Sequence, residues 1–161
     1  MKLATGVLCL FGLFSWADAP KNLLKPTNKV ESWRFEMAES AKGAVKVADD
    51  TVVFSVTETT GTDWHVQAVQ ADLDLIEGKE YTLTFKAKAD AARSIGVNAM
   101  IDLDDWHQIG LGEEVFLGKE FDTFKYTFRA ENVLSKKNRI SMVLGGSKGT
   151  VTIKEMTLTG P

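Results

Sequence analysis

Apolar side chains in this chain recur at every second residue, and a backbone can bury a pattern of that period only as strands, whose alternate side chains point to opposite faces. Val52, Phe54 and Val56 alternate with Val53, Ser55 and Thr57. Tyr81, Leu83, Phe85 and Ala87 alternate with Thr82, Thr84, Lys86 and Lys88. The pattern returns at Ile95, Val97, Ala99 and Ile101, at Phe124, Tyr126 and Phe128, at Ile140, Met142 and Leu144, and at Val151 and Ile153. The stretch from Met37 to Val47 is the exception, mixing helix formers with Gly43. Thr60-Gly61-Thr62-Asp63, Glu77-Gly78-Lys79 and Gly145-Gly146-Ser147-Lys148-Gly149 carry the small and φ-permissive residues that reversals need. Short strands joined by such turns, with no helical connectors, predict an all-β fold: an antiparallel β-sandwich rather than any βαβ arrangement.

The rest of the composition agrees with one domain. Of 161 residues, 44% are hydrophobic and 25% charged, which excludes disorder and a polytopic membrane protein. With 19 basic against 22 acidic residues, the chain has no electrostatic footprint for a phosphate backbone, and nucleic acid is not an expected partner.

Residues 1–17 read differently. Lys2 precedes an apolar run from Leu3 to Trp16 that closes on Ser15-Trp16-Ala17, the order of a secretory signal peptide with a small-x-small cleavage site. The cut is expected after Ala17, with Ala19 as the alternative, leaving a domain over 20–161 that is secreted or periplasmic and free of the membrane. Cys9, the single cysteine, lies inside this leader, so no disulfide, thiolate nucleophile or cysteine zinc site is available to the mature chain. A domain of ~140 residues can bury roughly two thirds of its unfolded surface and does without staples.

Several segments together resemble the carbohydrate-binding modules of families 4, 9 and 22. They are Asn22-Leu23-Leu24, Trp33, Trp64-His65-Val66-Gln67, the block from Gly78 to Ala89, the run from Phe121 to Phe128, Leu144-Gly145, and Gly149 to Ile153. The resemblance spans nearly the whole mature chain and implies a galactose-binding-domain-like jelly roll that holds a polysaccharide or oligosaccharide without catalysis. It also implies that Trp64 stacks on a sugar face while Gln67 hydrogen-bonds hydroxyls. Many relatives hold a structural calcium, with an aspartate where this chain has Lys154. That cation opposes the ion, although Asn28, Glu31 and Glu155 are oxygen donors. Relatives are commonly attached to hydrolases, so an associated glycoside hydrolase or a cell-surface protein is the expected protein partner.

Both histidines occur in one repeated tripeptide, Asp63-Trp64-His65 and Asp105-Trp106-His107, and two of the four tryptophans occur with them. Such segments suit two loops facing across one groove. By parity, His65 and Gln67 lie opposite the core residues Val66 and Ala68, and Asn98 and Asp102 lie opposite Val97, Ala99 and Ile101. If strand pairing starts after Trp64, its indole is free to enter the groove; if it starts earlier, the indole is buried. The expected ligand site is therefore Trp64, His65, Gln67, Asn98, Asp102, Trp106 and His107, since pyranose rings offer C–H faces to aromatic planes and hydroxyls to amides and carboxylates. Arg139 shares a face with Ser141 and Val143 and reads as a solvated edge cation.

Three other readings compete. A glycosidase needs two carboxylates about 5–10 Å apart, and Asp102, Asp104, Asp105, Glu113 and Glu114 offer acids without a catalytic motif. A metal site could use His65 and His107 with Asp63, Asp102 or Asp105 if the imidazoles meet. A protein-interaction or surface module could keep the fold without binding sugar.

Overall fold

The computed structural model describes residues 20–161; the leader and its cleavage sites fall outside these residues. Ten strands form two five-stranded antiparallel sheets. They are β1 (Arg34–Met37), β2 (Lys42–Ala48), β3 (Thr51–Glu58), β4 (Val66–Leu73), β5 (Glu80–Ala89), β6 (Arg93–Ile101), β7 (Gln108–Leu117), β8 (Asp122–Arg129), β9 (Asn138–Val143) and β10 (Gly149–Thr159). One sheet has the order β1-β4-β9-β6-β7 and the other β2-β3-β10-β5-β8.

The sheets pack face to face over the residues that the alternation assigns to the core. Val52, Phe54, Leu83, Phe85, Val97, Ala99, Ile140, Met142, Val151 and Ile153 are all buried. Phe54 takes the edge of Trp33 with ring centroids 5.1 Å apart, and Phe85 stacks on Phe124 at 5.2 Å, arrangements that aromatic quadrupoles favour. The Trp33 indole N–H donates to the Thr27 carbonyl at 2.9 Å, so the ring is both buried and satisfied.

Two segments depart from the sequence expectation. The Met37–Val47 stretch contains no helix: its residues end β1 and form most of β2, because Ala44, Val45, Lys46 and Val47 pair with β3. As an edge strand facing solvent, β2 has no need of strict alternation. β7 was hidden for a related reason. Ile109, Leu111, Val115 and Leu117 enter the core, but the exposed Glu113 occupies an inward position at this sheet edge and breaks the pattern. Glu113 and Glu114 are therefore strand residues.

Candidate functional site

The outward face of the β1-β4-β9-β6-β7 sheet carries a cleft of about 670 Å³, within the range of ~300–1,000 Å³ common for small-molecule sites. Register explains its floor. Glu36 on β1 pairs with Gln67 on β4, Gln67 with Val143 on β9, Val143 with Gly96 on β6, and Gly96 with Glu114 on β7. This row crosses all five strands, about 19 Å at ~4.8 Å per strand. Gly96 deepens the row, since a Cβ there would lie 3.1 Å from that of Val143.

Trp64 and Trp106 both line the cleft and remain 56% and 43% exposed, respectively. Trp64 sits in a single 3-10 turn, Asp63–His65, and pairing begins at Val66, which frees the indole to leave the core. The turn is held against the end of β9 by the Gly145 N–H, which donates to the Asp63 carbonyl at 2.9 Å. A Cβ at Gly145 would stand 2.3 Å from that same oxygen. Gly145→Ala is accordingly expected to push the turn away and to cost about 1–2 kcal/mol, read as a lower denaturation midpoint together with weakened ligand binding.

Trp106 reaches the cleft by another device. The turn closes with the Trp106 N–H on the Leu103 carbonyl at 2.9 Å, and Trp106 itself adopts a left-handed φ of 47°, a conformation a non-glycine residue holds only when its surroundings enforce it. The indole so directed lies over Arg139, whose guanidinium is 4.4 Å from the ring centroid.

Arg139 corrects the sequence expectation most sharply. β9 is the middle strand of its sheet, so the residue expected at a solvated edge is only 3% exposed and lies in the cleft. Its guanidinium contacts Gln67 Oε1 at 3.3 Å, Glu36 at 3.4 Å and Asp102 at 3.6 Å, while its Nε has no partner. Burial pulls its pKa down and the two carboxylates oppose that effect.

The two floor amides are locked in place. Gln67 Oε1 accepts from Ser141 Oγ at 2.6 Å and its Nε2 donates to the Trp64 carbonyl at 3.0 Å. Asn98 Oδ1 accepts from Gln108 Nε2 at 3.1 Å. Their oxygens are thus engaged, leaving one N–H of Gln67 and the amide N–H pair of Asn98 for a ligand. Together they make a floor of N–H donors, and Glu36 supplies acceptors beside it.

Of the remaining expected site residues, one lies in the cleft and two do not. His65 lines the cleft, with its Nδ1 2.7 Å from Thr60 Oγ1. His107 does not line it: the left-handed turn at Trp106 sends it outward, where it bonds Asp105 at 2.7 Å and the Asn132 carbonyl at 2.9 Å. Asp102 is also absent from the lining. It receives both terminal nitrogens of Arg34, at 2.6 and 3.0 Å, and supports the cleft from behind. The repeated tripeptides bring their tryptophans to one cleft but not their histidines, so the paired-imidazole metal site is not formed.

Two residues of the expected calcium region have partners of their own. Lys154 pairs with Asp50 at 3.6 Å and Glu155 with Lys86 at 2.6 Å, and among the described residues no three His, Cys, Asp or Glu side chains group closely enough to hold a metal. Lys154 and Glu155 are thus taken up by ion pairs of their own.

Acceptors on both ring nitrogens favour the imidazolium, so the His107 pKa is raised above 6.5, first by the Asn132 carbonyl and then by Asp105. Proton NMR titration is expected to give a His107 midpoint above that value, falling in Asp105→Asn. The sign follows from linkage: this pair supports the fold fully below the unfolded value and ceases to as pH rises through the folded one.

A family model described as "Carbohydrate binding domain" matches residues 26–148. A solved CBM4 structure is 26% identical with a TM-score of 0.75, the match covering 89% of this chain and 96% of that one. The N-terminal cellulose-binding domain of Cellulomonas fimi β-1,4-glucanase C is 17% identical (TM-score 0.69, covering 89% and 97%). A family 11 carbohydrate-binding module from Clostridium thermocellum, solved with a β-1,3-1,4-mixed-linked tetrasaccharide, is 16% identical (TM-score 0.60, covering 89% and 98%). No curated protein matches the chain. Among the described residues no helix is long and apolar enough to cross a membrane.

Proposed function

Since the chain belongs to the carbohydrate-binding domain family, whose members are non-catalytic binding modules, we propose that it holds a neutral polysaccharide or oligosaccharide in the cleft between Trp64 and Trp106. The observation that carries this reading is the pairing of two exposed indoles with a floor of fixed N–H donors. The indoles offer planes for the C–H faces of pyranose rings, and Gln67 and Asn98 donate to hydroxyl oxygens, while the buried Arg139 holds the Trp106 ring from below. Locked amides lose little freedom on binding, which favours affinity. Each polar contact replaces one to water and is worth only about 0.5–1.5 kcal/mol net. Affinity is therefore expected between micromolar and millimolar.

The row from Glu36 to Glu114, opened in its middle by Gly96, suits a chain lying transverse to the strands. The N-terminal residues 1–17 are proposed to export the domain, cut after Ala17 or Ala19, so that it meets its glycan outside the cytoplasm. Its role there is adhesion, alone or beside a glycoside hydrolase or cell-surface protein.

Isothermal titration of residues 20–161 against soluble glucans, xylans, mannans and galactans tests the reading. Heat with at least one glycan, unchanged by chelator, is the expected result. Silence with every glycan, together with capture of a protein from the native secretome, would favour the interaction-module alternative.

A further inference from the structure

The opposite face of the sandwich carries a different chemistry. The outward residues of β5 and β10 include Thr82, Thr84, Thr150, Thr152, Thr157 and Thr159, and register sets Thr157 beside Thr84 and Thr159 beside Thr82. Cations run through this polar face: Lys86 and Lys88 on β5, Lys154 on β10 and Lys125 on β8. They do so on a chain whose net charge is −3.

At one end of the face lies a hollow of about 240 Å³ lined by Lys88, Ala89, Asp90, Lys119, Thr150 and Thr152. Lys88 and Lys154 converge on the half-buried Phe121 ring, at 4.8 and 4.7 Å from its centroid. Lys154 is also paired with Asp50, and Lys86 with Glu155. Lys88 and Lys119 form no ion pair among the described residues. Asp90 Oδ1 accepts from the Ala91 and Thr150 N–H groups, which engages one of its two oxygens.

We propose that this hollow and the Phe121 ring beside it form a second site, selective for an anionic polysaccharide whose carboxylate or sulfate groups meet Lys88 and Lys119. Like charges drawn to one ring raise the local positive potential, which an acidic sugar chain relieves and a neutral one does not. Threonine hydroxyls supply donors and acceptors to its ring oxygens and hydroxyls. With the cleft on the other sheet, the domain would bridge a neutral glycan and an acidic one.

The test uses heparin as the sulfated probe, polygalacturonate as the carboxylated one and dextran as the neutral control. Residues 20–161 are expected to bind at least one polyanion and not dextran at this site, weakening about tenfold or more between about 50 and 200 mM salt as condensed counterions cease to be released. Lys88→Gln/Lys119→Gln is expected to weaken polyanion binding about tenfold, Phe121→Ala to weaken it as well, and Lys29→Gln/Lys136→Gln, which removes the same charge elsewhere, to leave it unchanged. Trp64→Ala/Trp106→Ala is expected to retain polyanion binding, so failure of the cleft and failure of this site are read separately. Absence of binding to both polyanions overturns the proposal, as does equal loss in the two lysine pairs or loss on removing the cleft tryptophans.

Discussion

A protein carrying Trp64→Ala and Trp106→Ala is expected to fold normally and to lose all measurable affinity for its neutral glycan. The indoles are 56% and 43% exposed, so truncation leaves no core cavity. One indole face covering a sugar ring buries on the order of 100 Å² of apolar surface, which at ~25 cal/mol/Å² amounts to ~2.5 kcal/mol, or roughly seventyfold in affinity. Two such losses, ~5 kcal/mol or several thousandfold, carry even a micromolar Kd into the millimolar range, beyond detection by titration. Single substitutions should each weaken binding by about ten- to a hundredfold, measured by isothermal titration with circular dichroism as the check on folding. Trp106→Ala also uncovers Arg139, whose cation then meets water in place of the ring.

The second large effect is one of stability. Removing one partner of a buried ion pair costs about 3–5 kcal/mol, and Arg139→Ala deprives Glu36 and Asp102 of a cation in the middle of a sheet. Both acids keep Arg34, with Glu36 at 2.5 Å and Asp102 at 2.6 Å, so the expected loss is reduced to about 2–3 kcal/mol. That corresponds to a fall of about 6–10 °C in Tm for a domain of this size. Arg139→Lys restores the charge but not the planar group beneath Trp106, so it should recover part of the stability and little of the glycan affinity. Acid should act on the same network. Arg34 holds the Asp102 carboxyl below its usual value, and the stability this supplies is present above the unfolded pKa and lost as pH falls through the folded one. Arg34→Met should therefore shallow the acid limb of the stability profile.

The fold was legible because the core strands are half-dry surfaces: Tyr81, Leu83, Phe85 and Ala87 have no other way to be buried together than as a strand. Where burial is incomplete, the signal fails. β2 lies at an edge and β7 admits Glu113 to an inward position, and neither alternates cleanly. Parity also placed Gln67 and Asn98 on the correct face of their strands, since it is a local property.

What parity cannot supply is strand order. Arg139 looked like an edge cation because nothing in Lys136-Lys137-Asn138-Arg139 reveals that β9 becomes the middle strand, flanked by β4 and β6. The two Asp-Trp-His segments make the converse point. Identical tripeptides diverge because one lies in a 3-10 turn against Gly145 and the other ends a turn with a left-handed Trp106, so the indoles converge while the imidazoles separate. Loop conformations of that kind are set by partners distant in sequence.

The central claim is that glycan lies between Trp64 and Trp106, and the indole N–H resonances test it most directly. In residues 20–161 three indoles report: Trp64 and Trp106 at the cleft, and Trp33, buried with its N–H on the Thr27 carbonyl, as an internal control. Titration with a binding glycan is expected to shift the Trp64 and Trp106 signals along one saturation curve while the Trp33 signal stays in place. Saturable binding that leaves both cleft indoles unmoved would contradict the account.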